Sequence, residues 1–178
     1  ADNKFVFGFV GRIVDRKGIN ELYEAFLQLR DKYEDILLMI VGRFELAQIA
    51  NHQIIDRLKE DPAVVLTGPQ ANVPLYLSLM DVFVLPAWGE GFGNVLVQAA
   101  AMGVPVISTT GTGCRDAVND KHNGLLVTPR SVPELVTAME TMYHDKDLRG
   151  KMGSSGLDWA KHFDSNIIWD GMENLYRQ

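Results

Sequence analysis

The chain has 178 residues, 47% hydrophobic and 22% charged, a composition ordinary for one globular domain that buries its core without disulfide or metal staples. Its net charge of −6 speaks against a generic nucleic-acid binder, whose phosphate contacts need clustered Lys and Arg. The lone Cys114 excludes an internal disulfide framework and a multi-cysteine metal site, no apolar run reaches the ~18 residues of a membrane span, and no signal-peptide pattern opens the chain, so a reducing, cytoplasmic setting is expected.

In chain order, the first apolar run is FVFGFV (5–10), followed by Gly11, Arg12 and a short polar loop ending in Lys17 and Gly18. Ile19, Leu22, Tyr23, Phe26 and Leu29 then recur at i, i+3, i+4, i+7 and i+10, the spacing of one apolar helix face. Two further runs follow, ILLMIV (36–41) before Gly42 and Arg43, and AVVLTG (63–68) before Pro69 and Gln70. DVFVLP (81–86) leads into Trp88, Gly89, Glu90, Gly91, Phe92, Gly93 and Asn94, and an alanine-rich segment carries the chain on to VPVIS (104–108). Thr109, Thr110, Gly111, Thr112, Gly113 and Cys114 come next, and GLLVT (124–128) is the last run. Leu135, Val136, Met139, Met142 and Tyr143 form a second helical stripe, opened by Ser131 and Glu134 at capping-box spacing. The tail reads as two more helices, roughly 146–160 and 164–177, with many large apolar side chains such as Trp159, Phe163, Trp169, Leu175 and Tyr176.

The apolar runs are continuous rather than alternating, as strands buried on both faces should be. Strands alternating with helices predict an α/β fold with a doubly wound parallel sheet. Ligands of such sheets bind beyond the carboxyl ends of the strands, where the glycines and polar residues of this chain collect. A Gly-rich turn entering a helix leaves backbone N–H groups at the positive end of the helix dipole, a site for a phosphate. Glu90 would repel phosphate, so its place in that turn makes sense if it faces hydroxyls next to the phosphate. Arg12 and Lys17, on another strand end, supply countercharge. Phosphate beside hydroxyls suggests a nucleotide attached to a sugar.

Plainer readings accompany each of these residues. Arg12 and Lys17 also read as solvated loop charges, Glu90 as a helix cap, Gly91 and Gly93 as turn formers, and Asp116 as a helix-start acid. Ala99, Ala100 and Ala101 are expected to mark close helix–sheet packing. His52, His122, His144 and His162 show no ligand spacing. The sequence has no G-x-G-x-x-G, no P-loop and no G-x-S-x-G.

Together these pieces resemble the C-terminal domain of retaining GT-B glycosyltransferases, the group 1 (family 4) set. FGFVGRIVDRKGINELYEAF looks like that family's first strand, basic loop and helix. LYLSLMDVFVLPAWGEGFGNVLVQAAAMGVPVISTTGTGCRDAVNDKHNGLLV resembles its signature stretch, and the match runs over nearly the whole chain. The resemblance implies a Rossmann-like, nucleotide-sugar-binding domain over 1–178. In it, 164–177 would be a terminal helix crossing toward an N-terminal acceptor domain outside this chain. It further implies that Arg12 and Lys17 bind the diphosphate and stabilise it as leaving group, and that Glu90 contacts donor-sugar hydroxyls. Gly11, at the same strand edge, would join the nucleotide-binding residues, N–H groups around Phe92, Gly93 and Asn94 would hold phosphate, and Gln98 at position 98 would face the ribose. Gln98 stands where the family has a second carboxylate, Asp116 where it often has glutamate, and RFEL after Gly42 departs from its usual loop. No metal and no cofactor beyond the nucleotide-sugar donor are implied, no nucleic acid, and membrane contact only through the N-terminal half. A non-catalytic nucleotide-sugar-binding module and a flavodoxin-like receiver are the competing readings.

Overall fold

A computed structural model describes residues 4–164. Six parallel strands form one sheet in the order β3-β2-β1-β4-β5-β6: β1 (Phe5–Val10), β2 (Ile36–Val41), β3 (Val64–Gly68), β4 (Val82–Leu85), β5 (Val106–Thr109) and β6 (Gly124–Val127). This is the strand order of a doubly wound nucleotide-binding sheet, which reverses direction between β1 and β4. The expected strands are all present: β1 and β2 span their runs in full, β3, β4 and β6 are trimmed by one or two residues, and β5 starts after Pro105 and extends to Thr109.

Seven helices connect the strands: α1 (Ile19–Arg30), α2 (Gln53–Glu60), α3 (Val73–Leu77), α4 (Asn94–Ala101), α5 (Cys114–Ala117), α6 (Val132–His144) and α7 (Lys146–Ala160), counted among the described residues. Right-handed crossovers place α1 and α2 on one face of the sheet and α3, α4 and α5 on the other. Helix α6 then packs beside α1, and α7 beside α4. The predicted stripe of α1 is buried as expected, with Ile19, Leu22, Phe26 and Leu29 fully enclosed together with Phe7, Phe9 and Phe83. Gly8 in the central strand leaves the room that Met80 fills, since a Cβ there would meet its sulfur at 2.0 Å. Ser131 caps α6 through Glu134 N–H at 3.4 Å. Glu134 turns instead to the Thr128 N–H at 2.8 Å, so half of the capping box forms. That bond holds the Glu134 carboxyl below its ordinary pKa.

Helix α7 shows why an alanine-rich helix and a glycine-bearing one lie together. Ala99 and Ala100 are both fully buried, but Ala100 meets α7 rather than the sheet: a Cβ on Gly156 would stand 3.2 Å from the Ala100 carbonyl oxygen. Ala101 is exposed. A Cβ on Gly153 would stand 2.3 Å from the Gly103 carbonyl oxygen, whereas one on Gly150 meets nothing within 4 Å. The two glycines therefore predict opposite signs. Gly150→Ala removes unfolded-state freedom at no steric cost and should stabilise the domain by about 0.5–1 kcal/mol. Gly153→Ala gains the same term but drives a methyl into a backbone carbonyl, and overpacking costs of about 1–3 kcal/mol outweigh it. Urea midpoints of the two variants check this, and shifts of the same sign would show that α7 does not pack so closely on α4.

The predicted helix over 164–177 lies outside the described residues except for Asp164, and so do Trp169, Leu175 and Tyr176. Trp159 and Phe163 do pack on the domain. The Trp159 indole donates to the Ala117 carbonyl at 2.9 Å, and the Phe163 ring lies 5.5 Å from Trp159 and 5.2 Å from Phe92.

Candidate functional site

At the end of β1 the chain makes a single 3-10 turn, Asp15–Lys17, closed by the Gly18 N–H on the Asp15 carbonyl at 2.8 Å. Gly18 has φ 74°, in the left-handed region, and a Cβ on it would stand 2.1 Å from the Pro86 carbonyl oxygen. The β1 loop therefore lies directly on the turn that follows β4. The Trp88 N–H donates to the Arg16 carbonyl at 2.9 Å across the same junction. The consequence is that Lys17 Nζ is ion-paired with Glu90 Oε1, the two side chains only 16% and 13% exposed.

The third partner in this junction is the loop after β5. Thr109 Oγ1 donates to the Ala87 carbonyl, and the Glu90 N–H donates to the Thr112 carbonyl at 2.8 Å. Gly113 makes the close approach possible, because a Cβ there would lie 2.5 Å from the Glu90 carbonyl oxygen. Glu90 is thus fixed on a turn clasped by two neighbouring loops. It is not a helix cap: α4 begins after Gly93 with no side-chain cap. Among the described residues, the N–H groups of Phe92, Gly93, Asn94 and Val95 donate to no carbonyl or side chain. These are the unpaired donors at the positive end of α4 that an anion requires.

The remaining predicted residues flank this centre on two sides. Gly11 and Arg12 line a hollow of about 270 Å³ over the ends of β1, β2 and β3, together with Gly42, Arg43, Pro69 and Gln70. Arg12 donates to Glu45 Oε2 at 2.9 Å and is half exposed, so its guanidinium is paired away from Lys17 and Glu90. Asn94 and Gln98, one turn apart on α4 and both exposed, line a second hollow of about 500 Å³ with Phe92, Val97 and Phe163. The sequence reading missed the part of Phe163, Arg43 and Gln70 in these walls. Arg43 and Gln70 each stand two residues past a strand end, which is the available signal. Phe163 shows in the sequence only as one of many large apolar side chains of the tail. Asp116 lies in the first turn of α5, as a helix-start acid should. All four histidines are exposed, and among the described residues no three His, Cys, Asp or Glu side chains gather so that they could hold a metal ion.

A profile of the group 1 glycosyl transferases matches residues 4–145. The chain belongs to that family. The capsular polysaccharide biosynthesis glycosyltransferase CapM of Staphylococcus aureus is 34% identical over 176 residues, 98% of this chain and 46% of that protein. A D-inositol 3-phosphate glycosyltransferase of an Arthrobacter strain is 32% identical over 165 residues, 90% of this chain and 39% of that protein. The chain thus spans about half or less of the length of these curated relatives. Among solved structures, the C-terminal domain of a group 1 family protein, LpcC, from Francisella tularensis superposes with TM-score 0.79 at 26% identity, over 88% of this chain and 84% of that one. Anabaena Alr3699/HepE in complex with UDP and glucose superposes with TM-score 0.88 at 26% identity, over 99% of this chain and 49% of that one. The group 1 glycosyltransferase fold found here is therefore the C-terminal, Rossmann-like half of a GT-B architecture. The receiver reading falls with that assignment. Among the described residues no helix is long and apolar enough to cross a membrane.

Proposed function

We propose that this chain is the donor-binding domain of a retaining glycosyltransferase of polysaccharide or glycan biosynthesis, and that it grips a nucleotide-diphosphate sugar. The observation that carries the reading is one junction: Lys17 on the β1 loop faces Glu90 on the turn that runs into α4, whose first N–H groups have no partner among the described residues. A diphosphate on those N–H groups takes Lys17 as its cation, with Arg12 at the rim. Glu90 then meets the hydroxyls of the attached sugar. Contacts to charged groups of this kind contribute roughly 1.5–3 kcal/mol each. Support from outside the chain is the Anabaena neighbour, solved with UDP and glucose.

In the transfer, the bond between the sugar's anomeric carbon and the β-phosphate oxygen breaks, and its electron pair stays on the phosphate. An acceptor hydroxyl oxygen bonds to that carbon on the same face, and its proton passes to the departing phosphate. Lys17, Arg12 and the α4 N–H groups stabilise the charge that develops on the phosphate, the task a metal ion performs elsewhere. The acceptor belongs to an N-terminal domain of the whole protein. Residues 1–178 form the donor domain, act in the cytoplasm, and reach a membrane only through that partner domain.

The test is a melting panel of UDP-, GDP- and ADP-sugars on this chain. A bound ligand at a hundred times its Kd adds about 2.7 kcal/mol, an upward shift of about 5–10 °C for a domain of this size. Flat melting curves across the panel would remove the donor site. Gln98 favours one second reading, a module that binds the nucleotide sugar without transfer, because an amide stands where the family resemblance implies a carboxylate. Sugar transfer by the full-length protein separates the two.

A further inference from the structure

The turn that carries Glu90 has one more support, which the donor-site reading does not use. Arg130 lies between β6 and α6, where the Ser131 N–H donates to the Thr128 carbonyl at 3.1 Å. Pro129 at the second position and positive φ at the third are the pattern of a type II turn, whose third position favours glycine. Here that position holds Arg130 at φ 66°. Its guanidinium carbon stands 3.8 Å from the centroid of the Trp88 ring. Trp88 is in turn tied to the neighbouring helix, its indole N–H donating to Glu21 Oε1 at 2.9 Å. Arg16 Nη2 donates to the Gly89 carbonyl at 3.2 Å. The two residues ahead of Glu90 are therefore held by α1 and its preceding loop, and Arg130 closes over the ring from the far end of the sheet.

We propose that Arg130 is a positioning residue for Glu90, acting through Trp88. The proposal rests on the donor-site reading above. An arginine at a backbone position suited to glycine is strained, and the strain persists only where the surroundings hold the side chain in place. What they hold it against is the ring two residues from the carboxylate. A carboxylate that reads hydroxyls must be placed within about half an ångström, which a free glycine-flanked turn does not ensure. A structural role and a positioning role differ at one substitution. Arg130→Gly relieves the left-handed φ and deletes the cation over Trp88, so it should leave melting temperature unchanged or raised while loosening Glu90.

The experiment is calorimetric titration of the chain with UDP and with UDP-glucose, the pair with which the Anabaena neighbours were solved. The quantity read is the ratio of the two dissociation constants, which isolates the sugar. Wild type, Arg130→Gly, Arg130→Lys, Glu90→Gln and the Arg130→Gly/Glu90→Gln double variant are compared. Arg130→Gly should shift the ratio against UDP-glucose by about threefold or more, with UDP affinity within about twofold of wild type. Arg130→Lys, which keeps a cation over the ring, should restore most of it. In the Glu90→Gln background Arg130→Gly should add nothing. If Glu90→Gln moves the ratio and Arg130→Gly does not, or if their effects simply add, Arg130 does not act through Glu90 and the proposal is overturned. If neither moves the ratio, or no UDP-, GDP- or ADP-sugar binds, the donor-site reading falls and takes the proposal with it.

Discussion

Glu90→Gln is expected to lower sugar transfer by the full-length protein about tenfold to a hundredfold and, on this chain, to tighten the binding of bare UDP. The two effects have opposite signs because Glu90 has two partners. Toward the sugar it is a charged acceptor, and replacing it with a neutral amide gives up roughly 1–2 kcal/mol for each hydroxyl bond it makes. Toward Lys17 it is a competitor. The ammonium is paired with Glu90 in a setting where both side chains are more than four-fifths buried, so a phosphate that takes Lys17 must draw it from an existing partner. Removing the charge of Glu90 leaves the lysine without a counterion, a costly arrangement that a diphosphate relieves. UDP affinity should rise by several-fold, up to about tenfold. Lys17→Ala should lose affinity for UDP and UDP-glucose alike, by about tenfold or more. Calorimetry with UDP decides the matter. If Glu90→Gln weakens UDP, then Glu90 aims Lys17 at the phosphate rather than restraining it, and the competition argument is wrong.

How much of this site was legible beforehand depends on whether its parts are local. The six strands were readable because buried parallel strands are unbroken apolar runs, and the loops that follow them were readable as the ligand edge. Helices α2 and α3 were not singled out. The first buries only Ile54, Ile55 and Leu58 over two turns, and the second is barely longer than one turn, so neither has a sustained stripe. The individual residues Lys17 and Glu90 could be nominated from charge and context. Their pairing could not, since it depends on how closely the β1 loop settles on the β4 turn. Arg12 read as the equal of Lys17, and only the fold shows it turned to Glu45 at the rim. Arg130 carried no signal at all, because its significance lies in a backbone angle and in a ring that belongs to a different strand end. Gly150 and Gly153 look alike as letters in one helix, yet only the second faces a carbonyl.

Gly18→Ala is expected to cost more stability than the glycine substitutions in α7, and it shows how closely fold and site are joined. Two penalties fall on one methyl group. The backbone at φ 74° disfavours any Cβ by about 1–2 kcal/mol. The Cβ would also stand 2.1 Å from the Pro86 carbonyl oxygen, which belongs to a buried residue leading out of a central strand and has little room to retreat. Overpacking of that kind costs about 1–3 kcal/mol, so the sum is about 2–5 kcal/mol against a typical domain total of about 5–15 kcal/mol. The relaxation open to the chain is to lift the β1 loop off the β4 turn. That movement breaks the bond between the Trp88 N–H and the Arg16 carbonyl, and it draws Lys17 away from Glu90. Urea unfolding should show the lost stability, and UDP titration under conditions where the variant is still folded should show lost affinity beside it. Gly18→Asn separates the two penalties, since asparagine accepts the left-handed angle but still brings a Cβ against Pro86. If asparagine restores wild-type stability, the backbone angle alone accounts for the glycine. If it stays near the alanine variant, the close approach of the two loops is the reason for Gly18, and the approach that requires glycine is the one that sets Lys17 against Glu90.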